Sequence, residues 1–477
     1  MDSLYKKQKV VIVGGGITGL TAAYYLKKQA LAQDFPLEIV LIEASLRLGG
    51  KIQTDRSKGF VIERGPESFL DSKGAVRQLA QHLQIENLMM RHNVGQSYLV
   101  IRNGVFPIPS KLTFGEEIKF SSLVTSGLLS IPGKIRAAGD LILPKAHESE
   151  DEPITDFFSR RFGHEFVENI VEPLLAATFA GDIDHLSIQS MFPRFFELEK
   201  KHRSLILGMK RTNMYPMLAA ETMRYETFHN GLETLVETLE QQLRDIQILK
   251  GVKVIGLDQS EQSVAVHLNN MASFKADAVI MTTPFSVTQK IFKKHDLLQH
   301  IPGMKNATIA TVSMAFKSED VPKLKDAINF FVARSSGHTI TTCTWSNRKW
   351  QHVAPEGYDL LRLYIGRVGD DAIVELSDSE IERTVLHDLH HVLGVTIRPL
   401  FLVVTRWKQA MPQYTVGHEQ RLKYMKTEIQ QVFPSVHLAG SSYEGISVPR
   451  CVGQGKRAAD TMLTMLQQKA LMNRDVH

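Results

Sequence analysis

Only two of the 477 residues are cysteine, Cys343 and Cys451. That is too few for a disulfide framework, so stability has to come from buried apolar cores, and the reducing cytoplasm is the default compartment. No uninterrupted apolar stretch approaches the roughly 20 residues that span a bilayer. No charged n-region followed by an apolar h-region opens the chain, so a secretory leader is not expected. The net charge of +5 is small and spread along the sequence, which argues against a nucleic-acid footprint. It suits an acidic small molecule, an anionic membrane surface or simply a solvated exterior. Catalytic side-chain signatures are equally scarce. His164-Glu165 opens like a zincin motif, but the position four after His164 is Glu168, so the second ligand is missing. His387, His390 and His391 can share a helix face, yet surface histidines are commoner than zinc clusters. Cys343 reads as a buried strand residue, and no side chain is assigned as catalytic.

What is present is a nucleotide-binding opening. Residues 9–19 read KVVIVGGGITG, an apolar β run that breaks into Gly14, Gly16 and Gly19 before a helical pattern, ITGLTAAYYLKKQA. Gly14 permits the tight turn, Gly16 lets the main chain approach phosphates, and Gly19 lets the helix pack closely on the strand. The start of the helix adds unpaired N–H groups and the positive end of its dipole. Glu43 closes a second apolar run, EIVLIEA, where a carboxylate can accept from both hydroxyls of an adenosine ribose. It comes later than usual, and residues 30–36 read as the insertion that delays it. A glycine-rich turn alone also joins strands to helices with nothing bound. Strand, helix and carboxylate together favour a dinucleotide.

Residues 43–66, EASLRLGGKIQTDRSKGFVIERGP, separate a flavin from a nicotinamide. A nicotinamide-binding domain continues from its second strand into another helix. Here Gly49-Gly50 turns the chain into what reads as a short hairpin, KIQT then GFVIERG, as in FAD-binding proteins of the glutathione reductase type. Arg47 and Lys51 bring positive charge toward the pyrophosphate. An ordinary turn at the glycine pair is the alternative. Near the C-terminus, VHLAGSSYEGISVPR reads as a strand ending in Ala439-Gly440, a loop, and a helix beginning near Ile446. A second helix N-terminus there can face the N1 and O2 edge of a flavin, or be a plain turn before a helix.

Together, VVIVGGGITGL, EASLRLGGKIQT and ERGPESFL resemble the oxygen-dependent porphyrinogen oxidases of haem biosynthesis (coproporphyrinogen III and protoporphyrinogen oxidases of the Gram-positive bacterial type), within the flavin group that includes monoamine oxidase. Further matches at residues 166–187, 201–210, 341–350, 405–418 and 438–459 cover the chain nearly end to end. The resemblance implies that FAD is held by Gly14, Gly15, Gly16, Ile17, Thr18 and Gly19, then by Glu43, Ala44, Arg47, Gly50 and Lys51. Gly65, Pro66, Glu67 and Ser68 follow after the hairpin. Main chain at Val254 would meet the adenine, Trp407 would lie against the cofactor, and Gly440, Ile446, Ser447 and Val448 would close the far end. From sequence alone Val254 reads as well as an ordinary strand valine, and Trp407 as a buried tryptophan. Lys73, Tyr98 and Phe331 are candidate substrate contacts. Arg91, Arg102 and the basic residues of 201–203 are further cations for propionates, each equally a solvated charge.

The implied fold is α/β and α+β: an FAD-binding Rossmann-like domain of the glutathione reductase type, a mixed-sheet substrate domain and a helical domain. Residues 1–79, 228–284 and 436–477 would form the first, 80–92 and 285–435 the second, and 93–227 the third. A capped amphipathic helix in FHNGLETLVETLEQQL, followed by strands ILKGVKVIGLDQ, SVAVHL and DAVIMTTP, would complete the FAD domain. In relatives the helical region forms one wall of the site and can rest on a membrane. Residues 111–143 are only moderately apolar, so peripheral contact with the inner face of the cell membrane is allowed but not compelled. The acidic run HESEDE, 147–152, reads as an exposed loop.

The implied reaction oxidises coproporphyrinogen III to coproporphyrin III by removing six electrons and six hydrogens. Hydride would leave a bridge carbon for flavin N5, with oxygen reduced to hydrogen peroxide in each of three turnovers and the product passing to a ferrochelatase. The protein would orient a flexible macrocycle and the flavin would supply the difficult step. Protoporphyrinogen IX is the rival substrate. An FAD-containing porphyrin carrier with little turnover is the non-enzymatic alternative. KHRSLILGMK and TRWKQAMPQY disfavour an amine oxidase, and Gly49-Gly50 disfavours a nicotinamide dehydrogenase. Monomer and homodimer are both compatible with the sequence.

Overall fold

The computed structural model describes residues 7–109, 126–144, 150–211, 225–322, 324 and 326–472. Five parallel strands form its nucleotide sheet, in spatial order Val436–Leu438, Ala278–Met281, Gln8–Val13, Leu37–Glu43 and Gln247–Lys250. Both faces are covered, so Val10, Val11, Ile12 and Val13 are each at most 4% exposed, and the strand reads as continuously apolar rather than alternating. Val10 and Ile12 face the helices Ile17–Ala32 and Val448–Met472, while Val11 and Val13 face a three-stranded antiparallel sheet, Val254–Gln259, Val264–Leu268 and Ser273–Ala276. The two helices cross closely at Gly455, where a Cβ would lie 2.4 Å from the Thr18 carbonyl oxygen.

Three local readings shift. The run ILKGVKVIGLDQ is two strands, because Gly251 at φ +74 turns the chain. Its first part closes the parallel sheet and its second opens the antiparallel one. The hairpin after the glycine pair is Thr54–Ser57 with Phe60–Glu63, turned at Lys58 and Gly59 (φ +53 and +81). Positive φ at both turn residues matches the strand twist, whereas residues 51–53 are still leaving the glycine turn. The helix Glu233–Gln242 carries no side-chain cap of its own. It is capped from the hairpin: Glu63 accepts from the Leu232 N–H at 2.6 Å and Thr54 Oγ1 from the Glu233 N–H at 3.1 Å.

A seven-stranded sheet lies beside this unit, in the order Phe401–Pro412, Asn306–Lys317, Tyr358–Ile365, Ile340–Trp345, Ala327–Val332, Gln96–Ile101 and Gly104–Pro107. All pairs are antiparallel except Ala327–Val332 with Gln96–Ile101, so the sheet is mixed. Its last two strands fall in the stretch 93–227 that the sequence places in the helical domain. Conversely, the helices Phe285–Ile291 and His418–Val432, expected with the substrate sheet, bury Phe285, Ile291, Met425 and Ile429 in the core under the nucleotide sheet. Chain order does not say which of two adjacent cores an amphipathic element covers.

One face of the large sheet is apolar and covered by Asp378–Leu393, a helix begun by the capping box of Ser377 and Glu380 and ended at Gly394 (φ +76). The described helical region packs Phe157, Phe158, Phe166 and Val171 against Leu99 and Ile101 on the opposite face. Residues 111–125 of the stretch considered for membrane contact, and 147–149 of the acidic run, lie outside the described residues.

Candidate functional site

The glycines of the first turn divide by function. A Cβ on Gly14 would fall 2.6 Å from Thr282 Oγ1, one on Gly15 2.6 Å from Leu48, and one on Gly19 1.9 Å from the Gly14 carbonyl oxygen. On Gly16 it would meet nothing within 4 Å. Close packing therefore demands three of them, while the fourth presents bare main chain to open space, as a pyrophosphate requires. Gly16 is the N-cap of Ile17–Ala32 and no side chain caps that helix, leaving the first N–H groups, from Ile17 and Thr18 onward, to an incoming anion. Gly15 N–H donates to Glu43 Oε2 at 2.6 Å, and the Ser45 N–H and hydroxyl donate to Oε1 at 2.7 Å each. Three donors thus orient the carboxylate, whose two oxygens offer about four acceptor directions, so capacity remains for a ribose hydroxyl. Ala44 is exposed between Glu43 and Ser45. Val252 N–H donates to the Glu43 carbonyl at 3.1 Å, which brings the strand beginning at Val254 beside the same carboxylate.

Gly49 donates to the Gly15 carbonyl at 2.8 Å, and Gly50 (φ +58) lies so that a Cβ would be 3.3 Å from Gly16 Cα. Arg47 does not extend a free charge. Its guanidinium donates to the Gly50 and Ile52 carbonyls at 2.8 and 2.6 Å and pairs with Glu233 at 2.9 Å. The tight turn leaves carbonyls that need partners, and Arg47 supplies them. Lys51 is the cation turned inward, with Ser441 Oγ at 3.4 Å, and burial lowers its pKa.

The C-terminal block meets the first turn at Thr282, whose hydroxyl bonds the Val13 and Gly14 carbonyls at 3.0 and 2.9 Å and whose carbonyl oxygen lies 3.4 Å from a Cβ placed on Gly440 (φ +123). Gln454 braces the loop, accepting from Gly440 N–H at 2.9 Å and donating to the Gly445 carbonyl at 3.2 Å. Tyr414 adds a second brace: its hydroxyl donates to the Ser441 carbonyl at 2.7 Å and accepts from Gly445 N–H at 2.8 Å. The helix starts at Val448 rather than Ile446. Ile446 and Ser447 are the loop residues before it.

Residues 64–68 link this cradle to the large sheet. A Cβ on Gly65 would sit 1.7 Å from the Lys51 carbonyl oxygen. Trp407 Nε1 and the Thr311 hydroxyl donate to the Arg64 carbonyl at 2.7 and 3.2 Å, and Arg362 donates to that of Gly65. Glu67, flanked by half-buried Pro66 and Ser68, accepts from Lys349 at 2.9 Å and Ser346 at 3.2 Å. Burial alone would raise its pKa, but Lys349 and Arg362 hold it below the usual carboxylate range. Trp407 lies with Ala180, Ala307, Ile309 and Tyr364 in one apolar cluster. Tyr364 and Arg362 were missed in the sequence, as were Thr282, Tyr414 and Gln454. The alternation in LLRLYIG, which puts Arg362 and Tyr364 on one sheet face, was the available signal.

The candidate substrate residues do not converge. Phe331 pairs with Leu99 and packs toward the helical region, whereas Tyr98 pairs with Phe330 and packs on the opposite, helix-covered face. The strict two-residue period of a strand separates them. Lys73 is exposed in a turn whose Asp71 accepts from Ala75 and Arg77 N–H at 2.8 and 2.9 Å. Arg91 pairs with Glu226 at 3.5 Å, Arg102 (φ +53) occupies an exposed hairpin tip, and Arg203 donates to the Leu141 carbonyl at 2.7 Å. The His387 and His391 rings lie 4.3 Å apart, tilted by 45°, but no described group of three His, Cys, Asp or Glu side chains is arranged to hold a metal. Burial pushes the Cys343 thiol up, away from reactivity.

A model of the family described as flavin containing amine oxidoreductases matches residues 17–463. The chain is 42% identical over 464 residues to a coproporphyrinogen III oxidase of Bacillus subtilis, covering 96% of this chain and 99% of that protein. It is 35% identical over 470 residues to a coproporphyrinogen III oxidase of Staphylococcus aureus, covering 96% and 100%. A crystal structure from Exiguobacterium, described provisionally as a protoporphyrinogen oxidase, matches with a TM-score of 0.84 at 30% identity, over 96% of this chain and 99% of that one.

Proposed function

The chain belongs to the flavin-containing amine oxidoreductase family, and we propose that it is an FAD-dependent oxidase that converts coproporphyrinogen III to coproporphyrin III with oxygen as acceptor. The observation that carries this reading is the end-to-end similarity to two enzymes of that name. The cradle suits the cofactor on its own geometry, since only Gly16 among the turn glycines faces open space and the helix behind it lacks a cap.

When bound, FAD supplies the acceptor for the electrons and hydrogen that the macrocycle loses. Everything else falls to the chain. Residues 14–19 would carry the pyrophosphate, Glu43 would orient the ribose, and Val254 would border the adenine. The helix starting at Val448 would place its positive end against the pyrimidine edge, where negative charge accumulates on reduction. Trp407, Ile309 and Ala180 would form an apolar wall that orients the porphyrinogen and excludes water. Similarity to the Exiguobacterium structure keeps protoporphyrinogen IX as the second reading.

Each porphyrinogen, supplied under air to the flavin-loaded protein, gives a direct test through porphyrin fluorescence and peroxide. Faster oxidation of coproporphyrinogen III is expected. Faster oxidation of protoporphyrinogen IX would reverse the ranking, and flavin binding with neither product would favour a carrier.

No described helix is long and apolar enough to cross a membrane. We place the protein in the cytoplasm with peripheral contact at the membrane surface, on the exposure of Ile131, Ile135 and Ile142 (74, 70 and 79%). Co-sedimentation with anionic vesicles should weaken when Ile131 and Ile135 become serine, and an unchanged bound fraction would dismiss this face. The product would pass to a ferrochelatase.

A further inference from the structure

Arg362, 2% exposed, reaches from the strand Tyr358–Ile365 to the Gly65 carbonyl through Nη2, while its Nε and Nη1 have no partner. A cavity of about 10 Å³ adjoins it, lined by Glu63, Glu67, Ser313, Ser346, His352 and Arg362. That is room for one water. The charges around it do not cancel. Lys349 is matched by Glu67 at 2.9 Å. Glu63, 7% exposed, meets the Leu232 N–H and the Thr54 hydroxyl, and burial pushes it up to about 8 despite Arg362 nearby. It therefore holds a proton at neutral pH. His352 is pushed down to about 4 by burial and by His229, stacked at 4.9 Å, and is neutral too, as is the buried Tyr364 phenol. Lys349 and Arg362 therefore share the single carboxylate of Glu67, with Arg362 also over the Tyr364 ring at 4.9 Å, and the group keeps one net positive charge beside residues 64–67.

We propose that Arg362 is a positioning residue that fixes the Gly65 loop and whose unbalanced charge favours the reduced, anionic flavin, with one water bridging its free N–H groups to the neighbouring carboxyls. The inference rests on the FAD reading above. Replacing a fixed buried cation by a neutral group removes an attraction that low dielectric leaves poorly screened.

The experiment is the midpoint potential of the bound flavin in the holoenzyme at pH 7 and pH 9, for the wild type, Arg362→Gln, Arg362→Lys and Glu63→Gln. Arg362→Gln should disfavour the reduced form about tenfold at pH 7, a fall of about 30 mV for a two-electron couple, and Arg362→Lys should restore most of it. Glu63→Gln should match the wild type at pH 7 and lose the extra fall the wild type shows toward pH 9, where ionised Glu63 cancels the cation. An unchanged potential in Arg362→Gln with flavin bound overturns the proposal. So does a Glu63→Gln shift at pH 7 equal to that of Arg362→Gln. If Arg362→Gln does not fold, the pH slope of Glu63→Gln decides alone. Wild-type protein that binds no flavin would instead bring down the reading beneath it.

Discussion

The two ends of the site are built from different material. At the nucleotide end the walls are main chain and glycine, drawn from residues 14–50 and closed by the loop after Gly440, and side chains such as Arg47 and Thr282 brace that main chain from behind. At the sheet end they are side chains from strands far away in sequence, such as Trp407 on the Arg64 carbonyl, 343 positions apart, and Arg362 on that of Gly65, 297 apart. A backbone-built cradle has no slack, because its walls cannot change rotamer. A sheet-built wall distributes its contacts over several side chains and degrades gradually.

The sharpest way to break this contrast is Gly19→Ala. Its Cβ would stand 1.9 Å from the Gly14 carbonyl oxygen, backbone against backbone, and overpacking of that kind costs about 1–3 kcal/mol or more. The purified protein should be nearly free of flavin by its visible absorbance while its circular dichroism stays native. Full flavin content would show that the turn has the slack denied to it here.

Tyr414→Phe should have a smaller effect. The ring keeps its stack on His418 (3.9 Å, 8°) but loses both hydrogen bonds to the loop 441–445. A buried group left unpaired costs about 1–3 kcal/mol, so titration of the apoprotein should give FAD binding weaker by about tenfold or more. Unaltered affinity would mean that Gln454 alone holds the loop.

The mildest test concerns the two sheet faces. Phe331→Ala should raise the KM for porphyrinogen severalfold, and Tyr98→Phe should leave it unchanged, because their side chains lie on opposite sides of the same sheet. Equal effects in steady-state kinetics would erase the distinction.

The glycine turn, the carboxylate of Glu43 and the C-terminal loop were legible because each lies within a few residues of a strand end and obeys local stereochemistry. Arg47 shows the limit: its position beside the glycine pair was readable, but its engagement with Glu233 depends on a helix from elsewhere. The cap of that same helix lies beyond local sequence for a similar reason, since Glu63 and Thr54 supply it from the hairpin. Tyr98 and Phe331 both looked like pocket aromatics until strand pairing assigned their faces.

By itself the sequence determined the dinucleotide cradle and the flavin-type turn after the second strand, because close approach to a phosphate is a property of consecutive backbone atoms, while motifs spread along the chain carried the resemblance to the family. Tertiary structure alone decided which core each amphipathic element covers, which face of the large sheet a residue joins, and that Arg362 is buried with its Nε and Nη1 unpartnered near Glu63, whose pKa burial raises. Those outcomes depend on pairings across hundreds of residues, and burial, not residue type, sets the charge such groups carry.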